Sequence, residues 1–498
     1  MKRALLRFYN GQAVLLDQVP FTPGDAFFQA IIDSCDHGWR VSAYFGVPQG
    51  DGVALYCVMS YKTEGAIGIM ATTVRNSFPS LARLVPQVHL FEREIAEQCG
   101  IVPENHPWLK PVRFQRPFGG GNGERSLPGV MDYYRVEGDE VHEVAVGPVH
   151  AGIIEPGHFR FQCHGEVVFH LEISLGYQHR GIEAALIGGP YPKTLYQMET
   201  VAGDSTVAHC EAHCMVLGAL SGRHAPARAE AIRGIALELE RLANHTGDLG
   251  AIAGDIGYLP TSSFCGRIRG DFLNMSAVLC GSRFSRGLVR PGGVGFDLGK
   301  NTADELMARL AAARSDLTNA VDLLWSTPSV MARLEGTGKV EKDVAQDLGL
   351  VGPAVRACGI SRDVRRDHPF GIFRMSHIPS VLAESGDVYG RTLVRWLEAE
   401  KSMDFLEEQL RQLPGGPVRT ELAPPAASSV AVAMTEGWRG EVCHVAITDE
   451  TGRFARYKIV DPSFHNWSGL AMALRNEQIS DFPLCNKSFN LSYCGFDL

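Results

Sequence analysis

One stretch restricts the fold of this chain more than any other: residues 199–220, ETVAGDSTVAHCEAHCMVLGAL, which is rich in Ala and carries few charges. His209 and His213 are four residues apart, and so are Cys210 and Cys214. Residues at this spacing lie on one face of an α-helix. Because Cys is among the most buried residue types, we predict a core helix on which the other elements are organised.

Two interpretations of these four side chains stay open. In the first, they are buried residues whose polar atoms are satisfied by hydrogen bonds. In the second, their imidazoles and thiolates, with Cys485, would hold zinc or iron. Adjacent helical residues point about 100° apart, so His209 and Cys210 cannot aim at the same ion. The metal interpretation is therefore the weaker alternative.

Several further segments surround this helix in a characteristic order. They are GPVHAGIIEPGHFRF (147–161), LELERLANHTGD (237–248), DPSFHNW (461–467) and, upstream, HLFEREIAEQCGIVPENHPWLKPV (89–112). Together they resemble the large subunit of membrane-bound, group 4 [NiFe] hydrogenases, fused to a 30 kDa subunit of complex I. The same large subunit is homologous to the 49 kDa quinone-site subunit of complex I.

The resemblance covers nearly the whole chain and implies an α+β fold with two domains. Residues 1–116 would form a complex I 30 kDa-like α/β domain. Residues 139–498 would form a mainly helical domain, like the hydrogenase large subunit or the complex I 49 kDa subunit, with small sheets. Between them, residues 117–138 contain the run GGGNG, which favours neither helix nor strand, and are predicted to be a linker.

The residues that the family uses to bind its metals are missing. A [NiFe] centre needs four thiolates in two Cys-x-x-Cys pairs. The segment that resembles the first pair has Ala202 and Ser205, and the segment after Asp481 has Pro483 and Asn486 where the second pair is expected. None of the 12 Cys residues forms a Cys-x-x-Cys pair. A working [NiFe] site is therefore not expected, and hydrogenase activity is predicted to be absent.

The resemblance also implies a set of site residues. The expected catalytic residues are Glu155, His158, His209, His213 and Arg439, and the expected cavity or quinone contacts are His150, His213 and Asp481. Glu155 stands where the hydrogenases have a proton-passing glutamate, and either His150 or His158 matches a histidine of the quinone pocket. Arg439 matches an arginine that approaches the metal ligands in the hydrogenases. An acid in an apolar wall has a raised pKa, which suits proton transfer.

The function predicted from this resemblance is that of a peripheral-arm redox subunit in a complex-I-like oxidoreductase. Its expected partners are a small subunit with a [4Fe-4S] cluster, a ferredoxin-like subunit and antiporter-like membrane subunits. This chain itself shows no cysteine pattern for an iron–sulfur cluster, and a quinone is a possible acceptor. Two alternatives stay open, a non-catalytic coupling subunit and a site with another metal.

Composition narrows the location and the partners. No run of apolar residues approaches the roughly 20 that a membrane span needs, and no secretory signal is visible. With a net charge of −9 and dispersed Lys and Arg, the chain has no basic surface for nucleic acid. We therefore expect a cytoplasmic protein, peripheral at the inner membrane through its partners.

Local patterns complete the expectations. Residues 78–101 predict a helix pair, with Glu92 and Glu94 on a solvated or salt-bridged face. A helix is predicted to continue to a turn at Arg290. The arginine-rich segment 352–369 is typical of a salt-bridged loop, and residues 436–461 predict a hairpin that turns at 449–452.

Overall fold

The computed structural model describes residues 5–118, 127–150, 152 and 154–498. Of the predicted linker, residues 119–126 lie outside the described residues, and the described remainder contains no helix or strand. In the first 118 residues the described elements are, in chain order, β1 (Leu6–Tyr9), β2 (Gln12–Leu15), α1 (Gly24–Asp36), β3 (Arg40–Gln49), β4 (Gly52–Tyr61), β5 (Ala66–Val74), β6 (Ser77–Pro79), α2 (His89–Cys99) and β7 (Val102–Glu104).

The remaining elements belong to the larger part of the chain. From residue 139 to residue 290 they are β8 (Val141–Val146), β9 (His158–His164), β10 (Val167–Ser174), α3 (Ile182–Leu186), α4 (Thr194–Met198), α5 (Thr206–Ser221), α6 (Ala227–Asp255), α7 (Leu259–Cys280) and β11 (Val289–Arg290). Beyond these lie β12 (Gly293–Val294), α8 (Lys300–Trp325), α9 (Pro328–Leu334), α10 (Lys342–Asp347), α11 (Gly352–Arg356), α12 (Val364–Asp367), α13 (Val388–Arg411), β13 (Ser429–Gly437), β14 (Gly440–Thr448), β15 (Phe454–Val460), α14 (Pro462–Ala473), α15 (Phe482–Phe489) and α16 (Tyr493–Asp497).

The N-terminal part is built on an antiparallel sheet with the strand order β1-β5-β4-β3. The apolar residues of β3 and β4 are buried along most of both strands, because α1 covers one face with Phe27, Phe28 and Ile31. The predicted α/β character is confirmed in this part of the chain.

The predicted helix pair in this part is wrong, since α2 is preceded only by a short 3-10 turn at Pro86–Val88. Pro86 can begin a helix but cannot continue one from the preceding residues. The residues before it, Ser77–Pro79, form β6, which pairs in parallel with β7.

The prediction of a solvated face at Glu92 and Glu94 is also wrong, because both side chains are fully buried. Glu92 accepts a hydrogen bond from the backbone N–H of Leu81 at 2.7 Å. The alternative prediction, a salt bridge, is confirmed for Glu94, whose partner Lys458 lies 2.6 Å away in β15. Buried acids of this kind require a partner, and here the partner comes from the other end of the chain.

The helical layer consists chiefly of α6, α7, α8 and α13, which pack on one another. The predicted helix to Arg290 is too long, because α7 ends at Cys280 and Gly281 adopts a left-handed conformation with φ of 78°. This conformation ends helices at little cost only in glycine. Arg290 belongs instead to the two-stranded ribbon β11–β12.

The second large sheet has the order β15-β14-β13-β2 and carries α5 on one face. Its β14–β15 hairpin and the turn at 449–452 confirm the prediction. The fourth strand, β2, comes from the N-terminal part and pairs Val14 with Val430. The predicted domain bounds stay a prediction, but residues from both sides of them share this sheet.

Among the described residues, no helix combines the length and apolar character needed to cross a membrane.

Candidate functional site

The predicted core helix is α5, and nearly all of its residues are buried. Its first backbone N–H groups are satisfied from the neighbouring helix α6, where Glu240 accepts from Val207 at 2.7 Å and from Ala208 at 3.4 Å. Burial raises the pKa of Glu240 to about 8. At pH 7 this acid is mainly protonated, so it stabilises the start of the helix by accepting hydrogen bonds rather than by a negative charge.

The two histidines of α5 face the sheet. His209 Nδ1 lies 3.1 Å from His444 Nε2, and His209 Nε2 lies 3.1 Å from Asp461 Oδ2. His213 Nδ1 lies 2.8 Å from the hydroxyl of Tyr457, which is also 3.0 Å from His444 Nδ1. The structure therefore brings both predicted histidines into one buried polar chain.

His444 and Tyr457 are the members of this chain that sequence reasoning missed. They belong to β14 and β15, and their strands pair so that Ala446 stands opposite Tyr457 and Ile459 opposite His444. The hairpin was predicted, so the alternation of its strands carried a signal that both side chains share a face. What the strand pattern could not give was the helix that covers this face.

The two cysteines of α5 point elsewhere. Cys214 lies near Arg233 and Glu211, and burial raises its pKa to about 12. Burial also raises the pKa of Cys210 well above its ordinary value. Both side chains are therefore buried thiols in this structure. In the described ranges, no group of three or more His, Cys, Asp or Glu side chains is arranged to hold a metal ion.

The turn that precedes α5 contains Ala202 and Ser205, both buried. It is held against the C-terminal end of the chain by Arg180, whose guanidinium donates to the carbonyl of Val201 and to that of Cys494, at 2.9 Å each. The C-terminal segment 490–495 is thus joined to this turn through Arg180.

The end of α15 and the left-handed conformation of Asn490 explain why segment 490–495 reaches the turn. α15 ends at Asn490, which has φ of 44°, and the chain then reverses into α16. Asn is one of the few residues that adopts this conformation readily. Gly495 then approaches Asp461 so closely that a Cβ atom would lie 2.6 Å from Oδ2.

The residues predicted after Asp481 have other neighbours. Asp481 pairs with Arg333 of α9 at 3.0 Å. Cys485 is buried against Gly338 and Arg391, and burial raises its pKa to about 12. In the part of the chain that the structure describes, no hydrogen bond or ion pair joins these residues to the 202–205 turn.

Arg439 lies at this turn, and its guanidinium is fully engaged. It pairs with both carboxylate oxygens of Asp204, at 2.6 and 2.8 Å, and donates to the carbonyl of Asn490 at 2.5 Å. It also stacks on the ring of Trp438 at 3.8 Å. Although burial opposes the charge, Asp204 raises the pKa of Arg439 above its ordinary value. The pair joins the turn to the C-terminal segment.

Of the loop residues, Glu155 is the one that reaches the C-terminal segment. Its Oε1 accepts from the backbone N–H of Cys494 at 3.3 Å. His158 and His150 instead bond to carbonyls of their own loop, at Gly147 (2.8 Å) and Gly157 (3.1 Å). Burial, with the Glu155 carboxylate, raises the pKa of the Cys494 thiol to about 11.

Asp461 lies between the turn and the sheet. Its Oδ1 caps α14 by accepting from Ser463 at 2.8 Å, while Oδ2 faces His209. Burial raises the pKa of Asp461, but the hydrogen bonds from His209 and Ser463 and the charge of Arg439 outweigh burial, and the pKa is lowered. Asp461 is therefore a carboxylate that these neighbours stabilise.

The arginine-rich segment is salt-bridged as predicted, but it is buried and forms the short helices α11 and α12. Arg356 pairs with Glu398 at 2.7 Å, and Arg365 pairs with Glu238 at 3.0 Å. His245 lies 2.9 Å from Glu398. This network joins α6, α13 and β13 beneath the site.

Comparison with known protein families gives two matches. The family described as the 30 kDa subunit of respiratory-chain NADH dehydrogenase matches residues 28–121, and the 49 kDa subunit family matches residues 255–431 and 421–497.

Individual relatives extend these matches. The chain is 31% identical to the carbon monoxide-induced hydrogenase of Rhodospirillum rubrum, over 70% of this chain and 97% of that protein. It is 31% identical to formate hydrogenlyase subunit 5 of Escherichia coli, over 92% of this chain and 84% of that protein. It is 30% identical to NADH-quinone oxidoreductase subunit 4 of Thermus thermophilus, over 69% of this chain and 90% of that protein.

Proposed function

Because this chain belongs to the family of fused complex I 30 kDa and 49 kDa subunits, which includes large subunits of membrane-bound hydrogenases, we propose that it is the peripheral-arm redox subunit of a complex-I-like oxidoreductase. Its relatives are subunits of such membrane-bound complexes. With a small subunit that carries a [4Fe-4S] cluster, this chain would enclose a cavity where electrons and protons meet.

The donor atoms at the turn do not fit a [NiFe] centre, and this observation carries the proposal. Such a centre needs four thiolates. Ala202 and Ser205 supply none, and the segment 490–495 that contacts them contains one thiol, Cys494, whose pKa is raised to about 11. Pro483 and Asn486 supply none either. We therefore propose that the cavity works without nickel.

What these residues can do is hold and pass protons. Glu155, the Asp461–His209 pair and the Asp204–Arg439 pair lie around the turn at hydrogen-bonding distances. A quinone is the acceptor that this set supports best, because its reduction requires protons together with electrons from the partner cluster. His209, with its carboxylate partner, is oriented to take part in that proton transfer.

A second candidate function is that of a non-catalytic coupling subunit. The observation that favours it is the engagement of Arg439, His150 and His158 with protein partners. In that case the ion pairs would serve to hold the subunit rigid against its neighbours. A site for another metal is less well supported, because Cys485 lies against Gly338 and Arg391, away from Cys210 and Cys214 of α5.

The assembly follows from the same resemblance. We propose that a ferredoxin-like subunit delivers electrons to the cluster-bearing small subunit. Antiporter-like membrane subunits would anchor the complex at the cytoplasmic face of the inner membrane.

The test is elemental analysis of the purified native complex, together with assays of quinone reduction and of hydrogen uptake. We expect less than about 0.1 nickel per complex and reduction of a quinone by the complex, without hydrogen uptake. Stoichiometric nickel would overturn the proposal.

Variants separate the redox role from the coupling role. Glu155→Gln should lower quinone reduction by about 100-fold, the order expected for loss of a proton-transfer group. The matched control is Glu450→Gln at an exposed position. Full turnover in the Glu155→Gln complex, combined with loss of ion pumping, would favour the coupling subunit instead.

A further inference from the structure

The polar chain beneath α5 has a second end, away from the turn. It runs from Asp461 through His209, His444 and Tyr457 to His213, and we name these five residues the relay. Its four hydrogen bonds measure 3.1, 3.1, 3.0 and 2.8 Å. All five side chains are buried, with exposures of 0–1%.

His213 also lines a cavity of about 370 Å³ beside α5. The other walls come from α4, the β11–β12 ribbon and the segment 419–425, and include Tyr191, Arg290, Arg419 and Pro425. Tyr191 and its neighbour Pro192 are partly exposed, so the cavity opens towards the surface. No other member of the relay lines this cavity.

With His209 neutral, the hydrogen atoms of the relay can be arranged in one way only. Ionised Asp461 can only accept, so His209 donates from Nε2. A neutral His209 then accepts at Nδ1, and His444 must donate from its Nε2.

The same assignment of donors and acceptors continues from His444 to His213. His444 accepts at Nδ1 from the Tyr457 hydroxyl, and the Tyr457 oxygen accepts from His213 Nδ1–H. Every donor in the relay therefore points towards Asp461. Within the part of the chain that the structure describes, His213 Nε2 has no hydrogen-bond partner.

The protonation states agree with this arrangement. Burial lowers the pKa of His213 to about 3 and the pKa of His444 well below its ordinary value, so both imidazoles are neutral. Burial raises the pKa of Tyr457 well above its ordinary value, so its hydroxyl keeps its proton. A neutral imidazole with one donor and one acceptor nitrogen can pass a proton through itself.

We propose that the relay is a proton path that connects the cavity at His213 with Asp461 beside the redox cavity, and that its resting donors are aligned for transfer towards Asp461. A proton binds His213 Nε2, and the Nδ1 proton moves to Tyr457. The Tyr457 proton moves to His444 Nδ1, the Nε2 proton of His444 moves to His209 Nδ1, and the Nε2 proton of His209 moves to Asp461 Oδ2.

The balance of this step is one proton taken from the cavity and one neutral carboxyl formed at Asp461, with no electron moved. The carboxyl then releases its proton to the substrate in the redox cavity, and each imidazole and the hydroxyl turn back. The inference deepens the proposed function, since it rests on proton-consuming chemistry at the 202–205 turn.

The first test needs no activity. In the full chain labelled with ¹⁵N-histidine, NMR of the ring nitrogens reports which nitrogen of each ring is protonated. We expect His213 to carry its proton on Nδ1 and His209 and His444 to carry theirs on Nε2, with signals assigned from His→Gln variants. A proton on His213 Nε2 in the unmodified chain would overturn the proposal.

The second test measures turnover of the purified complex. Tyr457→Phe removes one hydroxyl from the middle of the relay and should lower turnover by about 100-fold. His213→Gln still donates a hydrogen bond to Tyr457 but cannot relay a proton, so it should lower turnover as strongly. Tyr44→Phe is the matched control, because Tyr44 is equally buried and its hydroxyl has no partner among the described residues.

The turnover measurements distinguish failure of the relay proposal from failure of the proposed function. If Tyr457→Phe and His213→Gln both turn over as fast as Tyr44→Phe, the relay is only structural and the proposal fails. If the unmodified complex reduces no quinone, the proposed function fails, and the tautomers seen by NMR decide the relay by themselves.

Discussion

Removal of the Lys458 ammonium should destabilise the chain more than any surface change. Lys458 is fully buried in β15 and donates to Glu94 at 2.6 and 2.7 Å and to Glu183 at 3.0 Å. Lys458→Met keeps the length of the side chain and removes the charge. Loss of one partner from a buried pair destabilises proteins by about 3–5 kcal/mol, because it leaves an uncompensated buried charge.

The structure places the expected loss at the lower end of that range. Each carboxylate keeps a second cation, since Glu94 also contacts Arg113 and Glu183 lies 2.9 Å from Arg456. We therefore expect a loss of about 3 kcal/mol, which corresponds to a change of roughly two orders of magnitude in the folding equilibrium constant.

The assay is urea unfolding of the purified chain, followed by circular dichroism, with the slope of the transition checked for constancy. Lys401→Met is the matched control, because Lys401 pairs with Asp404 at 3.2 Å on an exposed helix face and should contribute no more than about 0.5 kcal/mol. A loss below about 1 kcal/mol for Lys458→Met, at an unchanged slope, would refute the reasoning.

Three further predictions concern the site. Because the folded-state pKa of Glu240 is raised to about 8, folding favours its protonated form, and this contribution to stability is lost as pH rises from about 4.3 towards 8. Glu240→Gln should remove that part of the pH dependence. The measurement is urea unfolding at several pH values. Gly495→Ala should destabilise the chain by about 1–3 kcal/mol, because the added Cβ would lie 2.6 Å from Asp461 Oδ2. Gly203→Ala is the control and should be nearly neutral, because open space surrounds Gly203. Equal effects of the two variants in thermal unfolding would contradict the placement of α16. EDTA should leave the Tm of the isolated chain unchanged within about 1 °C, and a fall of several degrees would show a structural metal.

The buried salt-bridge networks explain why two sequence segments that looked like surface were misjudged. Glu92, Glu94 and the arginines of 352–369 have charged side chains, and such side chains usually lie on the surface. Here Glu94 meets Lys458 and Arg356 meets Glu398, and both partners come from distant segments. A single sequence shows the charges but not their partners, so burial was not predictable.

Local pattern was sufficient for some of the helices and strands. The Ala-rich run around His209, the alternation in 440–460 and the glycine-rich boundary near 120 are short-range signals, and the first two are confirmed as α5 and the β14–β15 hairpin. The absence of any Cys-x-x-Cys pair, on which the nickel-free proposal depends, is likewise a property of the sequence alone.

Only the tertiary structure decided which residues meet at the site. The left-handed Asn490 turns the chain into residues 490–495, whose carbonyls Arg180 and Arg439 join to the 201–204 turn. The covering of the sheet by α5 joins His209 and His213 to His444 and Tyr457. Periodicity acts over a few residues, whereas these contacts join positions more than 200 residues apart. They exist because burial forces each polar atom to find a partner wherever the folded chain provides one.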